Sequence, residues 1–401
     1  MAEARHPVRA RLLYVVYLLL CAELLTRALL LVPAVRARLP PEEEEAWRIW
    51  WVNRYLWARR PIFYFFDAYD PTKGWTLRPG RHDHAGRTVT ANSRGIRGGD
   101  EHAPGKRAGV RRIVVLGDSF TFGEGVDDPD TFPSRLQARL GHGFEVINLG
   151  IHGYGHDQML IRLREEGLRY APDLAVLGYY SGDVARNGLA FRDYAKPRFA
   201  LREGSLVLTG SPVPTPGRVL AREAIRPHVP ALLAMAWRRL HPPPRPSPDE
   251  LRLMAAIVDE MRRVAAAHGA RFLIVDLPPT DEIDVPGDLG PSEAAIVDYA
   301  RSRGVPLCRT RGELRRRLDG RPVRGLRGHY DAAVNGYVAD ILAGCIAREG
   351  LLVPPSGGGS AFPAETRQRL PVHEEKQQRN VLEEDPEEDR VRGVEEGGGG
   401  Q

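Results

Sequence analysis

The chain has 401 residues, of which 42% are hydrophobic and 27% charged. This length is sufficient for one large domain or two modest domains with a substantial core. Lysine and arginine outnumber aspartate and glutamate by 57 to 52, although acidic residues dominate after position 350. The body is therefore basic, and basic surfaces attract anionic glycans, lipid headgroups or nucleic acid. Because no basic run is interleaved with aromatic residues, nucleic acid is the least favoured partner and none is expected.

An apolar segment lies near the N-terminus. Residues 12–32 read LLYVVYLLLCAELLTRALLLV, which as a helix is long enough to cross about 30 Å of hydrocarbon. Its two charged residues, Glu23 and Arg27, stand four positions apart and can pair on one face. Basic residues before the segment favour a cytoplasmic N-terminus at 1–11 and a periplasmic or extracellular body. The alternative is a signal peptide cleaved near residues 32–34.

Residues 33–110 form a juxtamembrane and pre-domain segment. An aromatic-rich stretch at 47–66 is expected either at the membrane interface or packed beneath the following domain. The stretch TANSRGIRGGD at 90–100 indicates, by itself, only a glycine-rich turn.

From residue 111 the pattern alternates between apolar strands and amphipathic helices. It predicts an α/β domain at 111–350 with a mostly parallel sheet and helices on both faces. We predict strands at 112–117, 144–149, 173–179, 271–276 and 305–308, and helices at 131–140, 157–169, 249–268, 291–303 and 332–348. A proline-rich insertion at 184–247, with one helix near 219–240, is either a lid or a surface elaboration. The acidic, glycine-rich tail at 351–401 is predicted to be disordered.

The stretch IVVLGDSFTFGEGV at 113–126 carries the strongest chemical signal. A buried strand ends at Gly117, and Ser119 follows at the edge where open α/β sheets bind ligands. The stretch lacks the endings of a phosphate loop, the dinucleotide glycine spacing and the G-x-S-x-G elbow. It therefore indicates a serine nucleophile, and the alternative is an ordinary strand-to-helix turn.

Four ordered blocks extend this signal along the chain: GDSFTFGEGV at 117–126, INLGIHGYGHDQ at 147–158, GYYSGDVARN at 178–187 and GHYDAAVNG at 328–336. Together they resemble the SGNH, or GDSL, hydrolase family. The resemblance implies a three-layer αβα sandwich with a flavodoxin-like sheet. It also implies that Ser119 is the nucleophile and an oxyanion donor, that Gly153 is a second donor, and that His329 is the base. The apolar N-terminus and the NSRGIRG stretch resemble a membrane-anchored bacterial branch.

Two positions depart from the family pattern. In the stretch at 178–187, which corresponds to the family's third block, Gly182 stands where the family carries an asparagine that donates to the oxyanion. Loss of such a donor lowers turnover by about 10²–10³. The stretch at 328–336 corresponds to the family's fifth block, in which an aspartate shortly before the histidine orients its ring. This chain has Leu326 and Arg327 there, and loss of the carboxylate lowers turnover by about 10⁴ in a comparable triad. Possible supporting residues are Asp118, Asp183, Asn187, Asp319 and Asp331. Two of these have simpler roles, since Asp118 suits bracing the nucleophile turn and Asp331 suits capping the last helix.

No metal and no cofactor are expected. The HDH triplet at 82–84 and the cluster of His152, His156 and Asp157 lack a defensible third ligand, so we interpret these histidines as solvated loop residues. The three cysteines form no C-x-x-C pair, which argues against a disulfide framework. The sequence does not exclude a single bridge between Cys308 and Cys345.

The sequence therefore predicts a membrane-anchored serine ester hydrolase or O-acyltransferase of the SGNH type. Its expected substrate is an acylated cell-envelope glycan or a small ester. The alternative is a catalytically impaired relative that binds an envelope glycan or a partner protein, and a structural envelope protein is a third, less favoured hypothesis.

Overall fold

The computed structural model describes residues 6–60, 62–242, 244, 246–285 and 289–352. These residues fall into two compact units. The N-terminal unit contains the described part of Met1–Arg59 together with Leu220–Pro242, and the sheet unit contains Arg60–Val219 and the described residues after 242. Most of the predicted disordered tail, from 353 onward, lies outside the described residues.

The helices and strands alternate along most of the chain. The helices are α1 His6–Leu29, α2 Pro33–Arg36, α3 Glu44–Ala58, α4 Ser119–Phe122, α5 Phe132–Leu140, α6 His156–Glu165, α7 Asp183–Arg186, α8 Pro216–Ile225, α9 Val229–Leu240, α10 Pro248–Ala267, α11 Pro291–Arg303, α12 Arg311–Leu318 and α13 Ala332–Arg348. The strands are β1 Asp67–Asp70, β2 Gly74–Leu77, β3 Gly80–His84, β4 Arg87–Ala91, β5 Arg111–Leu116, β6 Phe144–Asn148, β7 Leu174–Tyr179, β8 Phe191–Arg192, β9 Tyr194–Ala195, β10 Arg198–Arg202, β11 Ser205–Thr209, β12 Arg271–Asp276 and β13 Leu307–Arg309.

The central sheet has five parallel strands in the order β13-β12-β7-β5-β6. When these five strands are numbered 1 to 5 along the chain and read from the β6 edge, the order is 2-1-3-4-5, as in flavodoxin-like sheets. Such sheets bind ligands beside strand 1, where the strand order reverses. That strand is β5, and its residues Ile113–Leu116 are fully buried. The predicted αβα fold is confirmed, and Ser119 follows the strand at the switch point.

Side chains that alternate along the strands build the core. Ile113 and Val115 face α5 and α13 in one large apolar cluster, because successive strand residues point to opposite faces. The other face is covered by α6 and α10, which pack against each other. A disulfide joins Cys308 on β13 to Cys345 on α13 and ties the edge strand to the last helix.

Of the predicted pre-domain segment at 33–110, only the part from Arg60 onward belongs to the sheet unit. Strands β1 and β2 pair with each other, as do β3 and β4. In the NSRGIRG stretch, the Asn92 side-chain oxygen accepts hydrogen bonds from the backbone amides of Arg94 and Ile96. The buried Arg97 donates to the carbonyl oxygen of Val126, so this stretch packs beside the loop that follows the nucleophile turn.

In the insertion at 184–247, the structure has α8 and α9 in place of the one helix predicted near 219–240. Helices α8 and α9 are separated by residues 226–228, because Pro227 lacks an amide hydrogen and disfavours helix at the preceding residue. Strands β8 to β11 form two short antiparallel hairpins before α8. Helix α12 was not predicted at all, since its arginine-rich sequence lacks a broad apolar face.

The N-terminal unit contains one helix long and apolar enough to cross a membrane, from Val8 to Leu29. Length and composition alone support this assignment, and a signal sequence would pass the same test. The expected pair forms within it, with Arg27 Nε donating to the Glu23 carboxylate over 2.8 Å.

Candidate active site

The turn at 117–123, which carries Ser119, is held by its own side chains. The Asp118 carboxylate caps α4 by accepting the amide of Phe120 over 3.0 Å, which places Ser119 at the first helical position. A Cβ at Gly117 would overlap the Thr121 hydroxyl, and Gly123 ends the helix with φ of +84°. Only glycine fits both positions without strain, which explains the spacing of the GDSFTFG stretch.

His329 lies beside Ser119 although 210 residues separate them. Its Nε2 is 2.8 Å from the Ser119 hydroxyl oxygen, and its Nδ1 is 2.9 Å from the carbonyl oxygen of Leu326. A carbonyl can only accept, so Nδ1 carries the hydrogen and Nε2 is free to accept the serine proton. This tautomer is the one that a general base requires.

Among the described residues no carboxylate contacts the His329 ring, whose two nitrogens lie against Leu326 and Ser119 instead. Asp331 instead accepts the amide of Val334 and caps α13, as its position suggested. Asp319 ends α12 in a left-handed conformation, and Asp183 pairs with Arg186. The sequence suggested side-chain carboxylates, whereas the structure supplies the backbone of residue 326.

A buried charge cluster lies behind Ser119. Arg186 donates to the Asp118 carboxylate over 3.0 Å, to the Tyr154 carbonyl over 3.1 Å and to Asp183. Burial and the charge of Asp118 raise the pKa of Asp183 well above its usual range. One arginine therefore contacts both carboxylates, while burial favours the neutral form of Asp183.

The Asn187 side chain bonds to the first turn of α6. Its amide nitrogen contacts Nδ1 of His156 over 3.2 Å, and its oxygen accepts the amide of Asp157. Burial and the neighbouring Arg186 lower the pKa of His156 to about 3, so the imidazole stays neutral. Asn187 is therefore committed to positioning α6 and its histidine.

Gly153 packs directly against an arginine–aspartate pair. Its φ is +74°, and a Cβ there would overlap both the Arg192 guanidinium and the Asp193 carboxylate. Arg192 pairs with Asp193, and its side chain is 18% exposed. Sequence reasoning missed Arg192, because nothing distinguishes it from the other arginines of the insertion before the fold brings it to Gly153.

The interpretation of the other histidines as solvated loop residues was wrong for three of them. His84, His152 and His156 are all buried. His84 pairs with Glu124 over 3.0 Å and His152 with Asp67 over 2.7 Å, beneath aromatic rings of the 62–66 segment. Although burial opposes it, hydrogen bonding from the His84 ring lowers the pKa of Glu124 to about 2. The first pair ties β3 to the loop that follows Ser119, and the second ties β1 to the loop that follows β6.

A parallel α/β sheet with a serine–histidine pair at its switch point is the architecture of an α/β serine hydrolase. The model of the GDSL-like Lipase/Acylhydrolase family matches residues 115–333, more than half of the sequence. The chain belongs to this family, which confirms the resemblance read from its four blocks. It is accordingly a hydrolase of ester bonds.

Solved structures are similar at low identity. TesA aligns at 18% identity over 60% of this chain and 100% of its own, with a TM-score of 0.36. Est24, a carbohydrate acetylesterase from Sinorhizobium meliloti, aligns at 14% identity over 60% and 99%, with a TM-score of 0.34. The acetyl xylan esterase AlAXEase aligns at 15% identity over 59% and 99%, with a TM-score of 0.37. No curated protein sequence matches the chain significantly.

Proposed function

We propose that the chain is a membrane-anchored serine esterase or O-acyltransferase that acts on an acylated cell-envelope glycan or a small ester. Ser119 is the nucleophile and His329 the general base. The observation that carries the proposal is the hydrogen bond of 2.8 Å between the Ser119 hydroxyl and Nε2 of His329.

The reaction has two acyl transfers. The Ser119 oxygen attacks the ester carbonyl while its proton moves to Nε2, and Nε2 then returns that proton to the departing alcohol. The resulting acyl-serine is attacked by water, giving hydrolysis, or by a sugar hydroxyl, giving transfer. In that second step His329 takes the proton of the attacking hydroxyl and gives it back to Ser119.

The carbonyl of Leu326 replaces the family aspartate as the group that orients His329. Its oxygen accepts the hydrogen bond from Nδ1–H over 2.9 Å and so keeps the ring in place beside Ser119. A neutral carbonyl stabilises the imidazolium less than a carboxylate does, so orientation is retained with a smaller electrostatic contribution.

Arg192 compensates for the missing third-block asparagine. The amides of Ser119 and Gly153 are the oxyanion donors in this proposal, and the Arg192 guanidinium lies against Gly153. Because Asp193 pairs with Arg192, the pair is neutral overall, and the guanidinium contributes in this proposal through N–H donors directed at the developing negative charge on the carbonyl oxygen.

Two observations support an extracytoplasmic location. The apolar α1 is long enough to anchor the chain, and the Cys308–Cys345 disulfide suits an oxidising compartment. Envelope glycans that carry acyl esters occur on that side of the membrane, which is why an acylated glycan is the proposed substrate.

A fluorophosphonate probe tests the mechanism, because it labels only an activated serine. We expect labelling of the full chain and its loss in both Ser119→Ala and His329→Ala. Absence of labelling in folded wild-type protein would contradict the proposal and favour a binding protein. With p-nitrophenyl acetate as donor and an oligosaccharide as acceptor, the ratio of free acetate to acetylated sugar separates hydrolysis from transfer.

A further inference from the structure

One face of α9 is apolar and uncovered. Leu233, Trp237 and Leu240 recur at i, i+4 and i+7, so they share one side of the helix. They are 65%, 64% and 76% exposed, whereas Met235 on the opposite side is buried. Ile225, at the end of α8, is 83% exposed. Clustered exposure of this kind marks an interaction surface rather than ordinary surface apolarity.

The start of α9 is bonded to the apolar helix α1. The Glu23 carboxylate accepts the backbone amides of His228 and Val229 over 2.9 and 3.1 Å. Arg27 donates to the carbonyl oxygen of Arg226 over 2.8 Å. The two charges in the apolar segment thus have a function: they bind the polar backbone of the α8–α9 turn, whose amides favour a carboxylate.

This attachment lies close to the end of α1. Glu23 precedes the last helical residue, Leu29, by six positions, which is about 9 Å along the axis. Leu24 and Leu25, beside the attachment, are 67% and 62% exposed. The helix that carries the exposed apolar face, α9, is therefore attached to α1 next to two exposed leucines of α1.

The rest of the N-terminal unit has the composition of a membrane interface. Trp47 and Trp50 stack edge to face on α3, and tryptophan is enriched where hydrocarbon meets headgroups. Arg238 pairs with Glu43 over 2.7 Å, and Arg239 is exposed on another side of α9 than the apolar face. A helix with exposed apolar residues on one side and arginines on its other sides suits an anionic lipid surface.

We propose that the α9 face of Leu233, Trp237 and Leu240 lies in the interfacial layer of the bilayer that α1 crosses. The inference rests on the anchoring role of α1 in the proposed function and is independent of the chemistry at Ser119. The hairpin of α8 and α9 is then a second membrane contact, which fixes the orientation of the N-terminal unit about the axis of α1. A single spanning helix alone leaves that rotation free.

The test uses the full chain reconstituted in vesicles of phosphatidylcholine and phosphatidylglycerol. In a Cys21→Ser background, Leu240→Cys carries an environment-sensitive fluorophore, and Arg239→Cys, on the flank of the same helix, is the matched control. We expect quenching by spin-labelled lipid to be several-fold stronger at 240 than at 239. Quenching by aqueous iodide should show the opposite order.

Equal iodide access at the two positions would overturn the proposal. So would disulfide cross-linking between two Leu240→Cys chains without lipid quenching, because a second copy would then cover the face. Fluorophosphonate labelling of the same vesicles is recorded in parallel. Its loss would contradict the esterase mechanism, whereas a failed quenching pattern with labelling retained would contradict only the placement of α9.

Discussion

The carbonyl oxygen of Leu326 lies 2.9 Å from Nδ1 of His329, so the main chain holds the histidine where a side-chain carboxylate was expected. This contact depends on the turn at 325–328, in which Arg327 adopts a left-handed conformation with φ of +50°. The backbone geometry of the turn, rather than the identity of residue 326, therefore decides whether the proposed base can act.

The turn gives the first prediction. A Cβ at Gly325 would overlap the carbonyl of His329, so Gly325→Ala should displace the ring. We expect kcat to fall about 10²-fold, the cost of misplacing a reacting group by about 1 Å. Leu326→Ala keeps the carbonyl and should retain kcat within a few-fold. Initial rates with p-nitrophenyl acetate measure both, and equal losses in the two variants would refute the role of the main chain.

Arg192 gives the second prediction. If it supports the oxyanion, Arg192→Ala should lower kcat by about 10²–10³ with little change in KM, since the charge acts mainly in the transition state. Added guanidinium should restore part of the loss, and Arg192→Lys should be intermediate. The exposed Arg202→Ala is the control and should behave as wild type. A change confined to KM would assign Arg192 to substrate binding instead.

Asp276 gives a pH-dependent prediction for stability. Burial, followed by the charge of Glu293, raises the pKa of Asp276 to about 7, against 3.8 for an ordinary aspartate. Between pH 3.8 and pH 7 the folded state therefore binds more protons than the unfolded state does. The stability that protonated Asp276 contributes is fully present below pH 3.8 and is lost as the pH rises through 7. Asp276→Asn should raise the melting temperature at pH 8 and change it little at pH 4.5.

Thermal melts monitored by tryptophan fluorescence at the two pH values measure this difference. Asp298→Asn is the control, because its side chain is 73% exposed. A stabilisation of Asp276→Asn that is equal at both pH values would contradict the assigned protonation.

The disulfide gives the fourth prediction. It closes a loop with a sequence separation of 37, and constraining such a loop in the unfolded chain is worth about 4 kcal/mol. Reduction, or Cys308→Ser with Cys345→Ser, should lower the free energy of unfolding by about that amount. Cys21→Ser should have no such effect, because Cys21 is exposed and unpaired. Denaturant unfolding with and without reductant measures the change.

Periodicity predicted the five-stranded parallel sheet and the five helices α5, α6, α10, α11 and α13. The bounds of β12, α11 and α13 match the structure to the residue, since apolar spacing and capping residues define those elements locally. The order of the blocks also singled out Ser119 and His329, which the structure places 2.8 Å apart; their catalytic roles remain a prediction.

What sequence reasoning missed depends on the three-dimensional fold. Every residue has a carbonyl, so no pattern marks Leu326 as the partner of a histidine. Arg192 gains significance only because β8 approaches Gly153. The buried pairs of His84 and His152 were invisible for the same reason, since their carboxylate partners lie 40 and 85 residues away in the chain.

The return of residues 220–242 to the N-terminal unit has a practical consequence. Removing residues 1–59 to obtain a soluble enzyme would take away Glu23, Glu43 and Glu45, to which the backbone and arginines of the 226–238 stretch are bonded. Arg238 would then lose Glu43, Arg226 would lose Glu45 and retain the more distant Glu223, and the amides of His228 and Val229 would lose their acceptor. A well-behaved soluble version must therefore delete two separate stretches of sequence and rejoin the chain between Val219 and residue 243.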